Sequence, residues 1–487
     1  MAFTHGVYTQ EIPTSLLSPT ASNAGLPVVV GTAPVHLGDI SNVNKPVLCY
    51  TYAEAVKAFG FSKDFEKYTL CEFIYSQFAL YGMSPCVLIN VLDPNKHSTT
   101  ISAKSFTITS GKINLGTEIL VDGFEAANLV TDDEETSKTI YEKDADYTLE
   151  YDSDGALIFE VVSSGALANA ATVYLSYKKI APEAVGSADV IGGVDINTGK
   201  YMGLELVSRV FPRYTLIPGL VAAPKFSELP EVAAVMVAKS QKINGLFNAM
   251  AVIDIPYTVP SYQKAAEWKN SHGINDKNVI ACWPRIKLGE DTYHLSTQLI
   301  GLMNSIDAEN DDVPYVSPSN HVLKMDSSVI ATGAEVDLGL EEANELNRNG
   351  IVTALNWVGG WKAWGNRTAI YPSSTDVKDA FIPVRRMFDW LQDSFISMFW
   401  QETDAPINRR LIRTIVNSFN VNLNGLAARE MILGGRIEFL DSENPVTDLL
   451  NGNIKFHISV TPPIPAETLE GIFEFDVDSL NTLFNAE

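Results

Sequence analysis

Basic residues are scarce in this chain relative to acidic ones. Its 487 residues include 35 Lys and Arg but 59 Asp and Glu, which gives a formal net charge of −24. Contacts with nucleic-acid phosphates need a basic surface, and so does docking on anionic lipid. The charge balance therefore argues against direct nucleic-acid binding and against attachment to acidic membranes.

Long apolar runs and closely spaced cysteines are also missing. No stretch of about 18 apolar residues occurs, so we expect no membrane insertion. The N-terminus has no charged segment followed by an apolar one, which argues against a secretory signal. The cysteines, Cys49, Cys71, Cys86 and Cys282, show no CxxC spacing. This spacing predicts reduced, buried thiols rather than disulfides or a metal site.

Motifs of catalysis and cofactor binding are absent from the sequence. The seven histidines show no HExxH or HxH spacing, and neither a GxSxG motif nor a phosphate-binding glycine loop occurs. We therefore expect no catalytic residue, no metal and no cofactor. The Trp-rich segment 356–368 leaves two interpretations open, ligand stacking or a tight packed loop.

Patterns of buried strands and amphipathic helices alternate over much of the chain. They run through residues 26–92 and again through residues 191–350. Helices between buried strands favour a mainly parallel sheet. The two stretches therefore predict one α/β middle domain.

Residues 93–190 interrupt that alternation. Between Asp93 and Asp189 there are 17 acidic and seven basic residues, a net charge of −10. Runs of alternating polar and apolar side chains are separated by turn-forming pairs such as Ser110-Gly111 and Asp122-Gly123. This pattern predicts an inserted antiparallel β domain.

The last part of the chain, residues 351–487, combines helices and strands with an uneven charge. Two long helical patterns precede two short strands, which predicts an α+β domain. Residues 362–436 carry a net charge of +3, while residues 437–487 carry −9. Contact between copies and neutralisation within one copy both remain open as explanations of this contrast.

Both ends of the chain have the composition of extended arms. Residues 1–25 combine prolines with strand-forming side chains, and residues 467–487 follow a proline-rich link and carry Leu, Ile, Phe and Val expected to face one way. A strand that cannot bury its apolar face in its own domain pairs with another sheet edge. Exchange between identical copies gives rings or open helices, so the arms predict a self-assembling structural protein.

Several short segments, in their order along the chain, resemble the contractile tail sheath family of myophages and phage-derived particles. They are Gly6-Val7-Tyr8 with Glu11, Val28–Pro34, Asn347–Ile351, Trp364–Thr368, Phe381–Arg386 and Asn424-Gly425. The resemblance spans nearly the whole chain, whereas the insertion is of the kind that varies between members.

The resemblance implies a structural protomer and not an enzyme. Sheath subunits form stacked hexameric rings around a tail tube, and contraction drives the tube through the bacterial envelope without nucleotide hydrolysis. The implied partners are other copies, the tail tube protein, and baseplate and tail terminator proteins, in a virion tail assembled in the host cytoplasm. The sheath of an R-type bacteriocin is the alternative within this class. An α/β enzyme or carbohydrate-binding protein is a distant alternative.

The resemblance also implies roles for particular residues. Arms of neighbours would add strands to the C-terminal sheet of a subunit, and the insertion would lie on the outer surface. The residues implied for the arms are Gly6, Val7, Tyr8 and Ile12 at the N-terminus, and Leu469, Ile472, Phe473, Phe475 and Val477 at the C-terminus. Charge alone, without a matched motif, suggests Arg409, Arg410 and Arg413 as part of a tube contact.

Overall fold

The protein has a mixed α/β fold built from several separate sheets. A computed structural model describes residues 20–21, 24–131 and 136–483. Gly6, Val7, Tyr8 and Ile12 of the predicted N-terminal arm lie outside these residues. The mixed α/β class expected from the sequence is confirmed.

Twenty-four strands are numbered here in chain order. They are β1 Thr20–Ala21, β2 Pro27–Gly31, β3 Pro46–Cys49, β4 Met83–Ser84, β5 Cys86–Asn90, β6 Ser98–Thr107, β7 Lys112–Asn114, β8 Ile119–Thr131, β9 Thr136–Tyr141, β10 Tyr147–Tyr151, β11 Leu157–Val161, β12 Thr172–Ile180, β13 Gly193–Val194, β14 Tyr201–Met202, β15 Leu220–Ala222, β16 Met250–Asp254, β17 Val279–Cys282, β18 Arg285–Leu288, β19 Asp291–Tyr293, β20 Ser327–Val329, β21 Ile351–Trp357, β22 Gly360–Trp364, β23 Gly434–Glu438 and β24 His457–Thr461.

The α-helices are numbered in the same way. They are α1 Tyr52–Phe59, α2 Thr69–Ile74, α3 Ser187–Ile191, α4 Val210–Tyr214, α5 Pro230–Ser240, α6 Tyr262–Ser271, α7 Leu295–Glu309, α8 Leu340–Arg348, α9 Val377–Ala380, α10 Ile382–Phe399, α11 Arg409–Ala428 and α12 Val446–Leu450. Within the described residues, no helix is both long and apolar enough to cross a membrane.

The largest sheet has eight strands in the order β22-β21-β17-β16-β15-β2-β5-β3. The six inner strands run parallel, and β22 and β3 are antiparallel edges. Strands β2, β5 and β16 are buried at every position, as parallel strands covered on both faces are. The predicted parallel sheet is confirmed, and all four cysteines are buried with free thiols.

The predicted start of the C-terminal domain at residue 351 falls inside this large sheet. Strand β21 begins at Ile351 and lies parallel to β17, with Ala281 opposite Ile351 and Cys282 opposite Val352. The run from 351 to 355 is buried and apolar except for Thr353, so it completes the central sheet. A separate apolar cluster, formed mainly by α10, α11 and the β23–β24 pair, begins further along the chain.

The Trp-rich segment forms the β21–β22 hairpin. Trp361 packs against the central core, and Trp364 donates from Nε1 to Oδ1 of Asn344 at 2.9 Å. Trp357 stands 53% exposed at the tip. Two of these three indoles therefore serve the packing of a regular hairpin and not of an irregular loop.

Residues 98–180 form two antiparallel sheets, ordered β6-β12-β8-β9 and β10-β11-β7. They enclose a hydrophobic cluster of their own, in which the rings of Tyr147 and Phe159 stack at 4.8 Å. Ser98 lies opposite Ile180, so the chain enters and leaves this part at neighbouring points. Glu118 ties it to the central part through Lys67 at 2.8 Å.

One predicted turn in this region is a β-bulge instead. The Asp122-Gly123 pair lies within β8, where the ladder with β12 changes register and Gly123 has a φ of +72°. A glycine in the left-handed region relieves the extra residues of a bulge, and the strand continues past it. The turn signal of an Asp-Gly pair is therefore satisfied without reversing the chain.

Candidate assembly site at the C-terminal arm

Three segments far apart in sequence meet beside β22 and form a joint. The N–H of Asn366 donates to Oδ1 of Asn347 at 3.1 Å, and the N–H of Ile382 donates to the carbonyl of Asn366 at 2.9 Å. Gly350 closes the turn after α8 with a φ of +66°, and a Cβ there would lie 2.5 Å from the carbonyl oxygen of Thr368. The joint therefore brings together segments 347–351, 364–368 and 381–386.

Arg367 reaches from this joint to the start of the C-terminal arm. Its Nε donates to Oε1 of Glu467 at 2.7 Å, and a second guanidinium nitrogen pairs with the other carboxylate oxygen. The guanidinium carbon lies 4.3 Å from the ring centre of Tyr371 and 3.8 Å from that of Phe381. Bidentate pairing and aromatic stacking hold a planar guanidinium in one orientation. We call the Arg367–Glu467 pair the arm clamp.

No pattern in the sequence predicts the arm clamp. The two residues are separated by 100 positions, and no local pattern connects an arginine after a hairpin to a glutamate after a proline-rich link. Arg367 does fall within the sheath-like segment 364–368, which was the one available signal.

Between the clamp and Leu483, where the described residues end, the chain forms neither strand nor α-helix, and a short helical turn covers Val477–Leu483. The strand expected within the C-terminal arm, residues 467–487, has no pairing partner among the described residues. Its apolar side chains are open to solvent: Leu469 89%, Ile472 91%, Phe473 99%, Phe475 77% and Val477 64%. An apolar stretch this exposed marks an interaction surface.

Along the arm, apolar and acidic side chains largely alternate. In a regular strand, Leu469, Phe473 and Phe475 would share one face because successive side chains point to opposite sides. Ile472, expected to face the same way, would instead lie on the opposite face with the acidic residues such as Glu474. The arm has the pattern of a strand with one apolar face.

A two-stranded sheet stands next to the arm in sequence. Strands β23 and β24 are antiparallel, with Ile437 opposite Ile458, and each strand has an outer edge. Ile458 and Val460 pack against the cluster formed by α10 and α11. Two-stranded sheets are only marginally stable alone, and additional strands stabilise them.

The three arginines suggested for tube contact lie at the start of α11. Arg409, Arg410 and Arg413 are exposed, whereas Leu411 and Ile415 of the same helix are buried. Among the residues that the structure describes, the three have no ion-pair partner. Neutralisation within one copy occurs at the arm clamp and between Arg436 and Glu438, so this basic patch remains available to an acidic surface.

The crevice where open α/β sheets bind ligands is filled by charged side chains. Strand order reverses between β2 and β15, and ligands of such folds bind at the carboxyl ends of the strands at this point. Here His294 Nδ1 lies 2.7 Å from a carboxylate oxygen of Glu72, and Arg285 donates to Glu228 at 2.9 Å. Arg285 also pairs with Glu66.

Electrostatics in this buried cluster favour a charged histidine. Burial alone would lower the pKa of His294, but the neighbouring Glu72 carboxylate outweighs it and raises the pKa to about 9. Burial likewise works against the ionised form of Glu228, yet His294 and Arg285 lower its pKa overall. The cluster therefore consists of mutually paired charges that occupy the crevice.

No family model matches the sequence, but two kinds of similarity were found. The chain is 27% identical over 500 residues to the tail sheath protein of Burkholderia phage BcepMu, covering 99% of this chain and 98% of that protein. Its fold resembles a chain in the cryo-EM structure of the anti-feeding prophage (AFP) baseplate, with a TM-score of 0.59, 15% identity and coverage of 98% and 100%. It also resembles a chain of the PVC sheath, an extracellular contractile injection system in its contracted state, with a TM-score of 0.58, 13% identity and coverage of 98% and 99%.

An exposed apolar arm beside a two-stranded sheet offers the groups needed for strand addition between chains. The similarity to a phage tail sheath protein extends over nearly the whole of both chains. It supports assignment of this chain to the contractile tail sheath class of proteins.

Proposed function

We propose that this protein is the protomer of a contractile sheath, which polymerises as hexameric rings around a tail tube and shortens to drive the tube through a bacterial envelope. The observation that carries the proposal is the C-terminal arm, whose apolar side chains are exposed in a single copy. The full-length similarity to a phage sheath protein supports it.

Copies would be joined by strand exchange through their arms. Burying Leu469, Phe473, Phe475 and Val477 against a neighbour would stabilise each contact by about 1.5–3 kcal/mol per side chain, before the cost of ordering the arm. Many such weak contacts act together in a polymer. Strands that remain paired while the folded parts rotate would keep the sheath continuous during contraction.

The energy of contraction would be conformational and would not come from nucleotide hydrolysis. The crevice that such a sheet offers to nucleotides is occupied by Glu72, His294, Glu228 and Arg285. A change between two sheath arrangements needs only a difference in free energy between them. We therefore propose a structural role for the α/β part.

The remaining surfaces suit other components of a tail particle. The patch Arg409, Arg410 and Arg413 would face the tail tube protein, and the insertion 93–190 would lie on the outer surface. Baseplate and tail terminator proteins would bind the two ends of the sheath. In this proposal the N-terminal arm, with Gly6, Val7, Tyr8 and Ile12, joins neighbours as the C-terminal arm does.

Truncation of the arms tests the strand exchange. Variants lacking residues 1–12 or 467–487 are expected to give folded subunits by circular dichroism but no long sheaths by negative-stain electron microscopy. A double change Phe473→Ser and Phe475→Ser should act like the C-terminal truncation. Ile140→Ser, at an exposed apolar side chain of the insertion (57% exposed), is the matched control. Sheaths of normal length from both truncations would falsify the exchange.

Charge removal tests the tube contact separately. Arg409, Arg410 and Arg413 changed together to Gln are expected to reduce co-assembly with a tail tube protein at least about tenfold, since contacts between opposite charges are lost. Polymerisation without a tube should be unaffected. Arg348→Gln, at a side chain that is 75% exposed on α8, is the control. Unchanged co-assembly of the triple variant would assign the tube contact elsewhere.

A genome-free particle is a second candidate within the same class. The similarity of the fold to the AFP and PVC structures favours it. An R-type bacteriocin or other contractile injection particle would use the same protomer without a capsid. Purified particles that carry neither capsid nor DNA would support this candidate, whereas DNA-filled capsids on the tails would support a phage.

A further inference from the structure

We propose that a groove at the β3 edge of the large sheet binds a small soluble organic molecule that carries two or more phosphate groups. The phosphates would be held by four basic side chains, Lys45, Lys200, Arg209 and Arg213. We call this cavity the basic groove. The inference goes beyond the proposed sheath function, because it concerns the single subunit and does not require polymerisation.

The basic groove is a cavity of about 670 Å³ that lies where the start of β3, the residues after β5, the β13–β14 hairpin and α4 meet. Hydrogen bonds join its walls. The N–H of Gly203 donates to Oδ1 of Asn44 at 3.1 Å. The hydroxyl of Tyr214 donates to the carbonyl of Pro46 at 2.6 Å. Sites for small molecules are usually preformed and have volumes of roughly 300–1,000 Å³, so the basic groove has the size of a ligand site.

The charges around the basic groove are unbalanced. Its four basic side chains face one carboxylate, that of Asp93, whose Oδ1 accepts from the N–H of Asn95 at 2.9 Å. Within residues 20–21, 24–131 and 136–483, none of the four basic side chains forms an ion pair. Like charges gathered around one cavity repel each other, and a bound anion relieves that repulsion. The basic groove therefore favours a ligand with several negative charges.

Arg209 is held in one orientation at the wall of the basic groove. Its guanidinium carbon lies 3.5 Å from the ring centre of Tyr201, and its side chain is half-buried. Stacking on an aromatic ring leaves the N–H groups at the edge of a guanidinium free to donate two parallel hydrogen bonds to a phosphate. Arg213 follows four positions later in α4 and lines the same groove. Two neighbouring guanidinium groups suit a ligand with more than one phosphate.

Apolar side chains line the basic groove beside the cations, among them Val43, Met202 and Leu206. An inorganic anion would leave this apolar surface uncovered, whereas the organic part of a larger ligand would cover it. Nucleic acid and anionic membranes fit less well, because the chain as a whole carries −24 and repels extended polyanions. A small organic phosphate satisfies both the cations and the apolar wall.

Isothermal titration calorimetry of the full-length subunit at low salt tests the assignment with ADP, which joins two phosphates to an aromatic base. Pyrophosphate and adenosine each supply one half of this probe. We expect ADP to bind, pyrophosphate to bind at least about tenfold more weakly, and adenosine to give no measurable binding. Added salt should weaken the binding of ADP because it screens the charges. No binding of ADP at about 10 mM would overturn the proposal, and equal binding of ADP and pyrophosphate would overturn the organic part of it.

Variants of the arginines locate the binding. The double change Arg209→Gln and Arg213→Gln should weaken binding of ADP at least about tenfold, since charge-assisted hydrogen bonds are lost. Arg348→Gln, at an exposed arginine of α8 that pairs with Glu345, is the matched control and should bind ADP as the wild type does. Equal binding by the double variant and the wild type would overturn the assignment to the basic groove.

Thermal unfolding separates a binding role of Arg213 from a structural one. Without ADP, Arg213→Gln should melt at or above the temperature of the wild type, because one of four repelling charges is removed. With ADP, it should lose most of the stabilisation that the wild type gains. A variant that melts lower without ADP and keeps the full gain would overturn the proposal.

Electron microscopy of sheaths distinguishes this inference from the proposed function. Absence of ADP binding, together with shortened sheaths of the double variant, would make the basic groove a contact for an acidic surface of a second copy and would overturn the ligand assignment. Wild-type protein that binds ADP but forms no sheath would refute the proposed function and leave this inference intact.

Discussion

At the scale of single residues, burial decides what a charged side chain does in this protein. Arg386 and Asp307 pair inside the fold, where the side chains are 4% and 0% exposed. Burial raises the pKa of Asp307, and Arg386 counteracts that rise. Arg409 and Arg410, a short way along the chain, remain at the surface. The buried pairs hold α10 in place, and the exposed residues are left for partners.

His294 makes stability depend on pH in a predictable direction. Its pKa is about 9 in the folded protein, against an ordinary value of 6.5. A raised folded-state pKa stabilises the protein fully below pH 6.5, and that contribution is lost as the pH rises through 9. The loss can reach about 3 kcal/mol of unfolding free energy. Urea unfolding at a series of pH values measures it.

The His294→Gln variant isolates this contribution. It should be less stable than the wild type below pH 6.5, and the difference between the two proteins should shrink between pH 6.5 and 9. Lys269, with a pKa lowered by burial to about 8, changes stability in the opposite direction but is present in both proteins. A difference that stays constant with pH would show that folding does not raise the pKa of His294.

At the scale of elements, the turn from α8 into β21 depends on Gly350. A side chain there would meet the carbonyl oxygens of Thr368 and Tyr371, with the Cβ only 2.5 Å and 2.8 Å away. We expect Gly350→Ala to lower the free energy of unfolding by about 3 kcal/mol, since backbone of the joint must move as well.

Gly333→Ala is the matched control for that prediction. Gly333 has a similar φ of +77°, but nothing lies within 4 Å of its added Cβ. Its loss should be about 1 kcal/mol, the cost of the left-handed conformation alone. Thermal unfolding of both variants gives the comparison, and equal losses would mean that the crowding at the joint is relieved without cost.

The local spacing of apolar residues predicts the helices and strands that are determined mainly by residues close in sequence. The spacing of apolar residues over Tyr52–Phe59 predicts a helix with those bounds, and the helical pattern over Phe381–Trp400 predicts the helix observed as Ile382–Phe399. The apolar run Tyr214–Val221 predicts a strand, but the observed strand is Leu220–Ala222, since α4 continues to Tyr214 and Pro218-Gly219 follows. The apolar residues of the segment 214–221 pack partly as the end of a helix and partly as a strand.

Contacts between residues that are far apart in the chain could not be predicted from the sequence. Glu72 and His294 are 222 positions apart, and each alone has the features of an ordinary surface or core residue. Asn420 likewise looks like any polar residue of an amphipathic helix until β23 lies beside it, where its Nδ2 donates to the carbonyl of Ile437. The arm has a strand pattern but no strand in one copy, because a ladder requires a partner.

At the scale of the whole molecule, the two ends of residues 98–180 lie next to each other, so we expect that this segment can be deleted without breaking the central fold. Because Ser98 and Ile180 are neighbours, a short Gly-Ser linker in place of residues 98–180 should leave the central sheet folded. The insertion has a hydrophobic cluster of its own, and only Leu120 and Ile180 of residues 98–180 belong to the central cluster. We expect the shortened protein to unfold cooperatively and still to form sheaths under the electron microscope. Failure to polymerise, with the fold intact, would place the insertion in a contact between copies.

Net charge works against assembly over the whole particle. Each copy carries −24, so neighbouring copies repel one another unless contacts form at basic or apolar patches. The exposed arm and the arginines of α11 are such patches. The uneven charge thus restricts contacts between copies to the basic and apolar patches.

In the proposed strand exchange, the arm clamp would set the length of the connection between joined copies. With the clamp closed, Thr468 alone separates the fixed Glu467 from Leu469, the first apolar residue of the arm, so the connection would be short. Opening the clamp would release residues 462–467 and lengthen the connection by about 20 Å. A single ion pair would then control the distance over which two joined copies can separate when the sheath changes shape.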